Sequence, residues 1–304
     1  MPDITTEPFQ GGRKKPYKSN ALAQPFLKWA GGKRQLLSEI HKFVPTKYTE
    51  YYEPFVGAGA VLFSLQPEKC TINDTNRELI NCYQVIRDQP EELIQLCQQH
   101  QANNSKEYYY NLREQDRQDD FKDRSPTERA ARIIYLNKTC FNGLFRVNSS
   151  GQFNVPYGKY KNPTIADPAV IKAISAYLNQ AQVSILNGDF AQAVARAKKG
   201  AFIYFDPPYH PLSDTSSFTG YSMNGFGEEE QIRLKELCDG LTAKGCQVLA
   251  SNSAAPLIKS LYDDPNYEIL EVKATRAINT VVSKRGRINE LLIHNKYLTE
   301  NDQK

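Results

Sequence analysis

Asp206-Pro207-Pro208-Tyr209 follows the apolar run Ala201-Phe202-Ile203-Tyr204-Phe205, a pattern that predicts a buried strand entering a tight turn. Proline has no N–H to give to a sheet ladder, so the strand must stop there. The stop leaves a carboxylate, two stiffened carbonyls and an aromatic ring at the carboxyl end of a strand, the edge at which open α/β sheets bind ligands. Such a set suits activation of a conjugated amino group, for example that of adenine. The lone pair of such an amine is delocalised into the ring, which makes it a poor nucleophile. A carboxylate and a carbonyl accepting its two N–H bonds favour a pyramidal nitrogen with a usable lone pair, and the tyrosine offers a stacking surface. A Pro-Pro turn that merely closes a core strand is the competing reading at this point.

A second chemistry-bearing stretch is Glu53-Pro54-Phe55-Val56-Gly57-Ala58-Gly59, between the strand-like Tyr51-Tyr52 and the helix-like Ala60 to Leu65. Gly57 and Gly59 let the backbone approach a ligand at a helix N-terminus. A dinucleotide fingerprint needs a third glycine, and Leu62 holds that position, which weakens a nicotinamide reading. Asp74 ends the next strand, Thr71-Ile72-Asn73-Asp74, where an acid commonly takes a ribose hydroxyl. Together these point to an adenosine ligand without a pyrophosphate, against the alternative of a plain tight turn. Lys28-Trp29-Ala30-Gly31-Gly32-Lys33 also sets glycines ahead of a helix, but Arg34 follows Lys33 and the Walker A spacing is missing. Trp29, the only tryptophan, reads equally as a core residue.

The third stretch runs from Phe141-Asn142-Gly143-Leu144-Phe145-Arg146-Val147-Asn148 to Phe153-Asn154-Val155-Pro156-Tyr157-Gly158-Lys159-Tyr160-Lys161. Its amides, aromatics and bases are a toolkit for duplex DNA: arginine reads guanine edges, apolar groups touch thymine methyls and lysine holds phosphates. A planar ring here suits wedging into a base stack when a base leaves it. A hairpin with ordinary surface residues is the alternative.

The elements that must position these stretches follow from periodicity. Helices are expected over Lys33 to Phe43, Leu79 to Ile86, 91–117 and 126–136, and strands at Val183 to Leu186, 201–205, Gln247 to Ala250 and Ile288 to His294. Strand–helix alternation broken by one polar insertion predicts an α/β, Rossmann-like domain (23–84 and 176–304) carrying a recognition domain (85–175), behind a disordered tail at 1–22. The 304 residues carry 38 Lys and Arg against 34 Asp and Glu, a formal charge of +4, which permits nucleic-acid binding without demanding it. No apolar run reaches the ~20 residues of a membrane span, and the polar N-terminus lacks a secretory core, so a cytoplasmic protein is expected. Six cysteines and four histidines are scattered, so reduced structural thiols are expected and a metal site is not.

Lys28 to Lys33, the Glu53 to Gly59 loop, Asn142-Gly143-Leu144, the 153–161 segment and Asp206 to Tyr209, in that order along the chain, resemble the Dam-type DNA adenine methyltransferases, the α-group amino-methylases that include the GATC-methylating enzymes of DpnII-like restriction systems. The resemblance covers roughly residues 24–295 and leaves the tail without a role. It implies S-adenosylmethionine as methyl donor, a Rossmann-like methyltransferase fold with an inserted, mainly helical target-recognition domain, and adenine methylation in duplex DNA by base flipping. By motif, Trp29, Lys33, Phe55, Gly57, Gly59, Asp74 and Asp206 match donor-binding positions, with Asp74 on the ribose. Asp206, Pro207 and Tyr209 match the adenine-activating positions. Arg146 matches the guanine-reading arginine and Lys28 a lysine on the other guanine. Leu144 and Pro156 match thymine contacts, with Phe141, Asn142, Lys159 and Lys161 among the DNA contacts. The family often has tyrosine at Phe141, so stacking survives there and a hydroxyl hydrogen bond does not.

The resemblance further implies a monomer acting on double-stranded DNA, either beside a cognate restriction endonuclease acting separately or as a solitary methylase. Related alternatives are an RNA adenine methylase, a protein-glutamine methyltransferase and a sequence-specific DNA-binding protein with a silent site. Asp206 and the Arg146 segment favour DNA over the protein substrate, and the intact Asp206, Tyr209, Gly57 and Gly59 argue against silence. Arg276, Lys284, Arg285 and Arg287 form a basic stretch, either a solvated loop or a contact near the cofactor or DNA backbone.

Overall fold

The computed structural model of the chain describes residues 19–29, 31–212, 226–275 and 287–296. The basic stretch at 276–286, Ala30 of the glycine-rich segment and residues 1–18 of the tail lie outside the described residues.

Among the described residues seven strands form one sheet: β1 (Tyr51–Glu53), β2 (Lys69–Asp74), β3 (Gln182–Asn187), β4 (Phe202–Phe205), β5 (Gln247–Ser253), β6 (Tyr267–Thr275) and β7 (Arg287–Asn295). Their order is β3-β2-β1-β4-β5-β7-β6. The first five run parallel, and β7 pairs antiparallel with both β5 and β6. The helices are α1 (Leu37–Ile40), α2 (Ala60–Leu65), α3 (Arg77–Asp88), α4 (Pro90–Ala102), α5 (Lys106–Glu114), α6 (Pro126–Thr139), α7 (Pro168–Gln180), α8 (Phe190–Ala193), α9 (Glu228–Ala243) and α10 (Pro256–Leu261). The Rossmann-like expectation holds, and the order reverses between β1 and β4, beneath the glycine loop and the Pro-Pro turn.

Side chains alternate across a strand, and the central strands bury both sets. Tyr51, Phe202, Tyr204 and Leu249 join one core with α3, α6 and α7. Tyr52, Ile203, Phe205, Val248 and Ala250 join the other with α9 and α10. That double burial is why β4 reads as a continuous apolar run rather than an alternating one.

The expected helix over Lys33 to Phe43 is broken into 3₁₀ turns around α1. The expected 91–117 helix is divided at Asn103–Ser105 into α4 and α5, with Ser105 capping the second. The boundaries expected at 84/85 and 175/176 fall inside α3 and α7. The chain is anchored from Asn20 onward, because its N–H and carbonyl bond Gln66 at 2.9 and 2.8 Å. All six cysteines are buried and unpaired.

Helix α6 starts at a capping box made by Ser125 and Glu128 and carries in its last turn Asn137, which is fully buried. Asn137 Oδ1 accepts from the Lys28 N–H at 2.9 Å, and its Nδ2 donates to the carbonyls of Lys28 and Gly143 at 2.8 and 3.1 Å. One amide thus pins the N-terminal segment to the 141–146 loop. Asn137→Ala leaves one buried and two partly buried main-chain groups without this partner and is expected to cost about 2–4 kcal/mol. A urea midpoint unchanged by the substitution, at constant slope, would exclude that role.

Candidate active site

The carboxyl ends of the parallel strands gather the chemistry-bearing residues. Glu53 and the Phe55–Gly59 loop follow β1, Asp74 ends β2, Asp189 and Phe190 follow β3, and Asp206 to Tyr209 follow β4. A cleft is lined by Trp29, Lys33, Glu53, Gly57, Tyr204 and Asp206.

Asp206 is 19% exposed and pairs through Oδ1 with Lys33 Nζ at 2.7 Å. Lys33, 5% exposed, also donates to the Gly31 carbonyl at 2.6 Å and lies 4.7 Å from the Tyr209 ring centroid. Burial pushes the Asp206 carboxyl up to about 6; Lys33 pulls against the rise and the charge of Glu290 adds to it. The Tyr209 hydroxyl donates to Glu290 Oε2 at 2.7 Å, which fixes the ring. The rest of the turn is held to α9 and β5. Gln231 Nε2 donates to the Pro208 carbonyl at 2.9 Å, the His210 N–H to Asn252 Oδ1 at 3.3 Å, and Ser253 Oγ to the His210 carbonyl at 2.6 Å. The Pro207 carbonyl has no partner among the described residues.

Gly57 and Gly59 both take positive φ, +49° and +75°, values that favour glycine. A Cβ on Gly57 would stand 3.0 Å from Trp29 Cδ1, and one on Gly59 would stand 2.6 Å from the Tyr83 hydroxyl. Asp74 Oδ2 accepts from the Gly57 N–H at 3.2 Å and Oδ1 from the Asn76 N–H at 2.9 Å. Burial raises its carboxyl pKa, and backbone bonds from Asn76, Gly57 and Thr75 oppose the rise. Phe55 stacks on Phe190 with centroids 5.4 Å apart and meets Phe226 edge-on.

The DNA candidates lie on a neighbouring surface. Trp29 stacks on Phe145 at 4.9 Å, so the residue that covers Gly57 also touches the 141–146 loop. The Lys28 stem packs on Gly143, and its ammonium lies 5.1 Å from the Tyr160 ring centroid. The Phe141 N–H bonds the Pro156 carbonyl at 2.8 Å. Arg146 Nε and Nη2 donate to the Asn154 side chain and carbonyl at 2.7 and 3.1 Å. Lys28, Phe141, Arg146, Pro156, Lys159 and Lys161 are exposed, whereas Asn142 and Leu144 are partly covered. Lys161 is not drawn to the others by any contact among the described residues.

Comparison with known proteins places this geometry. The family of D12 class N6 adenine-specific DNA methyltransferases matches residues 29–278. The chain belongs to that family. It is 50% identical to the type II methyltransferase M1.LlaDCHI of Lactococcus lactis subsp. cremoris, over 91% of this chain and 97% of that one. It is 42% identical to the type II methyltransferase M.MjaIII of Methanocaldococcus jannaschii, over 90% and 99%. It is 35% identical to the DNA adenine methylase of Escherichia coli K12, over 88% and 93%. The chain is therefore an adenine-specific DNA methyltransferase with the Rossmann-like fold of its family.

For this methyltransferase, sequence reasoning missed Glu53, Asp189, Phe190, Tyr160, Gln231, Asn252 and Glu290. The polar run Ser251-Asn252-Ser253 within a strand buried throughout was the signal available for one of them. The Asp189-Phe190 pair after β3 was another, since it repeats the place of an acid at a strand end. Glu53 is the sharpest omission. It is buried beside Asp206, and burial pushes its carboxyl up to about 8; the Tyr51 hydroxyl, donating at 2.8 Å, opposes the rise and the Asp206 charge adds to it. The unfolded chain ionises this group near 4.5, whereas the fold keeps its proton until about 8. Its stabilisation is therefore complete below the lower value and is lost as pH climbs through the upper one. Relative to Glu53→Gln, the native chain is expected to lose about 1.4 kcal/mol per pH unit across that interval. Parallel pH profiles of the two proteins in urea titrations would count against a protonated Glu53.

Proposed function

We propose that this methyltransferase moves a methyl group from S-adenosylmethionine to the amino group of an adenine flipped out of duplex DNA, within GATC, acting as a cytoplasmic monomer whose helical 85–175 segment reads the site. The observation that carries the reading is the pairing of a half-buried carboxylate with an unpartnered carbonyl beside a fixed aromatic ring. Asp206 and the Pro207 carbonyl accept the two amino hydrogens of adenine, and Tyr209 stacks on the base. Holding both N–H bonds on acceptors favours the pyramidal nitrogen that can attack. The chain supplies position and electrostatics.

S-adenosylmethionine, when bound, supplies an electrophilic methyl group on a sulfonium. The residues present fit it. Asp74 at the β2 end suits the ribose hydroxyls, the Gly57–Gly59 loop permits close approach, and Phe55 with Phe190 offers apolar faces to its adenine. Leu62, buried where a third glycine would admit a pyrophosphate, fits a donor without one. Trp29 and Lys33 close the cleft toward the DNA surface. There, Arg146 and Lys28 suit guanine edges, Leu144 and Pro156 suit thymine methyls, Phe141 and Asn142 suit the opened stack, and Lys159 and Lys161 suit phosphates. A type II relative at 50% identity supports a restriction–modification role beside a separate endonuclease.

Activity needs the ionised Asp206, so kcat/KM is expected to fall as pH drops through about 6. Asp206→Ala should abolish methylation while duplex binding stays measurable, and Asp206→Asn should lose the acid limb along with most of the rate. Turnover retained by Asp206→Ala would sink the assignment. Plasmid DNA treated with the enzyme should resist a nuclease blocked by adenine methylation in GATC; sensitivity there, with methyl groups found elsewhere, would refute the target. Arg146→Ala should weaken discrimination at one guanine by about 1–3 kcal/mol.

A further inference from the structure

Asp116 lies outside every motif described so far, yet it is the centre of a polar cluster directly behind the 146–154 loop. Its Oδ2 accepts from the Phe153 N–H at 2.8 Å and from Arg132 Nη2 at 2.9 Å, and its Oδ1 accepts from Arg117 Nη1 at 2.6 Å. Arg117 adds a bond from Nη2 to the Phe153 carbonyl at 3.0 Å. Arg132, 2% exposed, donates Nε to the Leu112 carbonyl and Nη2 to the Arg113 carbonyl, both at 2.7 Å. Helix α5 and the turn after it are thereby locked to α6, and both main-chain groups of Phe153 are taken by charged side chains.

The next residue is Asn154, whose side chain and carbonyl together hold Arg146. One peptide separates the charged cluster from the guanidinium. Burying an Asp–Arg pair is an inefficient way to gain stability, because desolvation offsets the attraction. What such a pair adds is direction, since charge-assisted bonds fix the peptide they grip. Reading a base edge needs the guanidinium in one plane and at one height. Slack in its support therefore lowers discrimination before it lowers affinity.

We propose that Asp116 and Arg117 are specificity-determining positioning residues: by gripping the Phe153 peptide they fix Asn154, which presents Arg146 to its base. The proposal rests on Arg146 reading a guanine, as above. The test uses the full chain with S-adenosylmethionine, a GATC duplex and duplexes with one guanine replaced. Arg117→Ala releases the Phe153 carbonyl but leaves the buried Asp116–Arg132 pair, and Asp116→Asn keeps the shape of the site with less charge. The expected result is a fall of about tenfold in the ratio of kcat/KM for GATC over the replaced duplex in Arg117→Ala, part of the loss in Arg146→Ala. A ratio does not depend on the fraction of folded enzyme, so simple destabilisation leaves it where it was. A ratio kept by Arg117→Ala and Asp116→Asn, while Arg146→Ala loses it, overturns the positioning role alone. A ratio kept by Arg146→Ala as well overturns the guanine reading and this inference with it. A shallower salt dependence of binding with the ratio intact makes Arg117 a phosphate contact and likewise overturns it.

Discussion

The Asp206–Lys33 pair, 2.7 Å apart at the point where strand order reverses, is the interaction around which the rest of the site is arranged. A carboxylate sunk this far tends to take a proton, and a second acid, Glu53, stands beside it. The two cannot both ionise cheaply at that separation from water. Lys33 resolves the conflict in favour of Asp206, which stays ionised above about 6, while Glu53 keeps its proton to about 8. That assignment leaves the charge on the residue that follows β4 and lines the cleft. Holding Lys33 there in turn requires the Gly31 carbonyl and the Tyr209 ring, so the glycine-rich segment and the Pro-Pro turn are parts of one electrostatic unit.

A second constraint is that the cleft proposed for the donor and the surface proposed for DNA share a wall. Trp29 is in contact with Gly57 on one side and Phe145 on the other, and Asn137 fixes the main chain on either side of that wall. Both residues belong to stretches far apart in sequence. Under the proposed reading, the arrangement makes the distance between donor and base a property of packed side chains rather than of a hinge between two bodies.

Much of this was legible because it is local. The Ala201–Phe205 run, the glycine loop and the strand ending at Asp74 carry their own stop signals, and β1, α2, β2 and β4 follow them. The charged helices α5 and α6 were also marked by periodicity. Helices α7 and α9 and strand β6 were not anticipated. β6 alternates Glu268, Ile269, Leu270, Glu271 and Val272 irregularly, as expected of an edge strand that answers only to its neighbour. The expected helix after Lys33 is broken where Lys33 itself turns inward to Asp206. The illegible part of the site is its polar support. Gln231, Asn252, Ser253 and Glu290 hold the Pro-Pro turn across 23 to 81 residues of sequence, and no spacing rule connects residues that meet only after the sheet has formed.

Under the proposed mechanism the same ion pair also explains why the active carboxylate is not simply left in water. An exposed aspartate would be ionised at every physiological pH but would hold its acceptor oxygen for no partner in particular. A fully buried one without a cation would be protonated and could not accept both a hydrogen bond and the developing positive charge on the amino nitrogen. Partial burial with Lys33 alongside gives an ionised group that is poorly hydrated, so an arriving N–H displaces little water from it. Lys33 lies over the Tyr209 ring, the surface assigned to the base, so adenine and the ammonium compete for that face. The lysine has a second acceptor in the Gly31 carbonyl, which lets it stay bound while it yields the ring. The constraint that keeps Asp206 charged is thus compatible with opening the site, because the counter-ion is held by Asp206 and the Gly31 carbonyl as well as by the ring, and only the ring is given up for stacking.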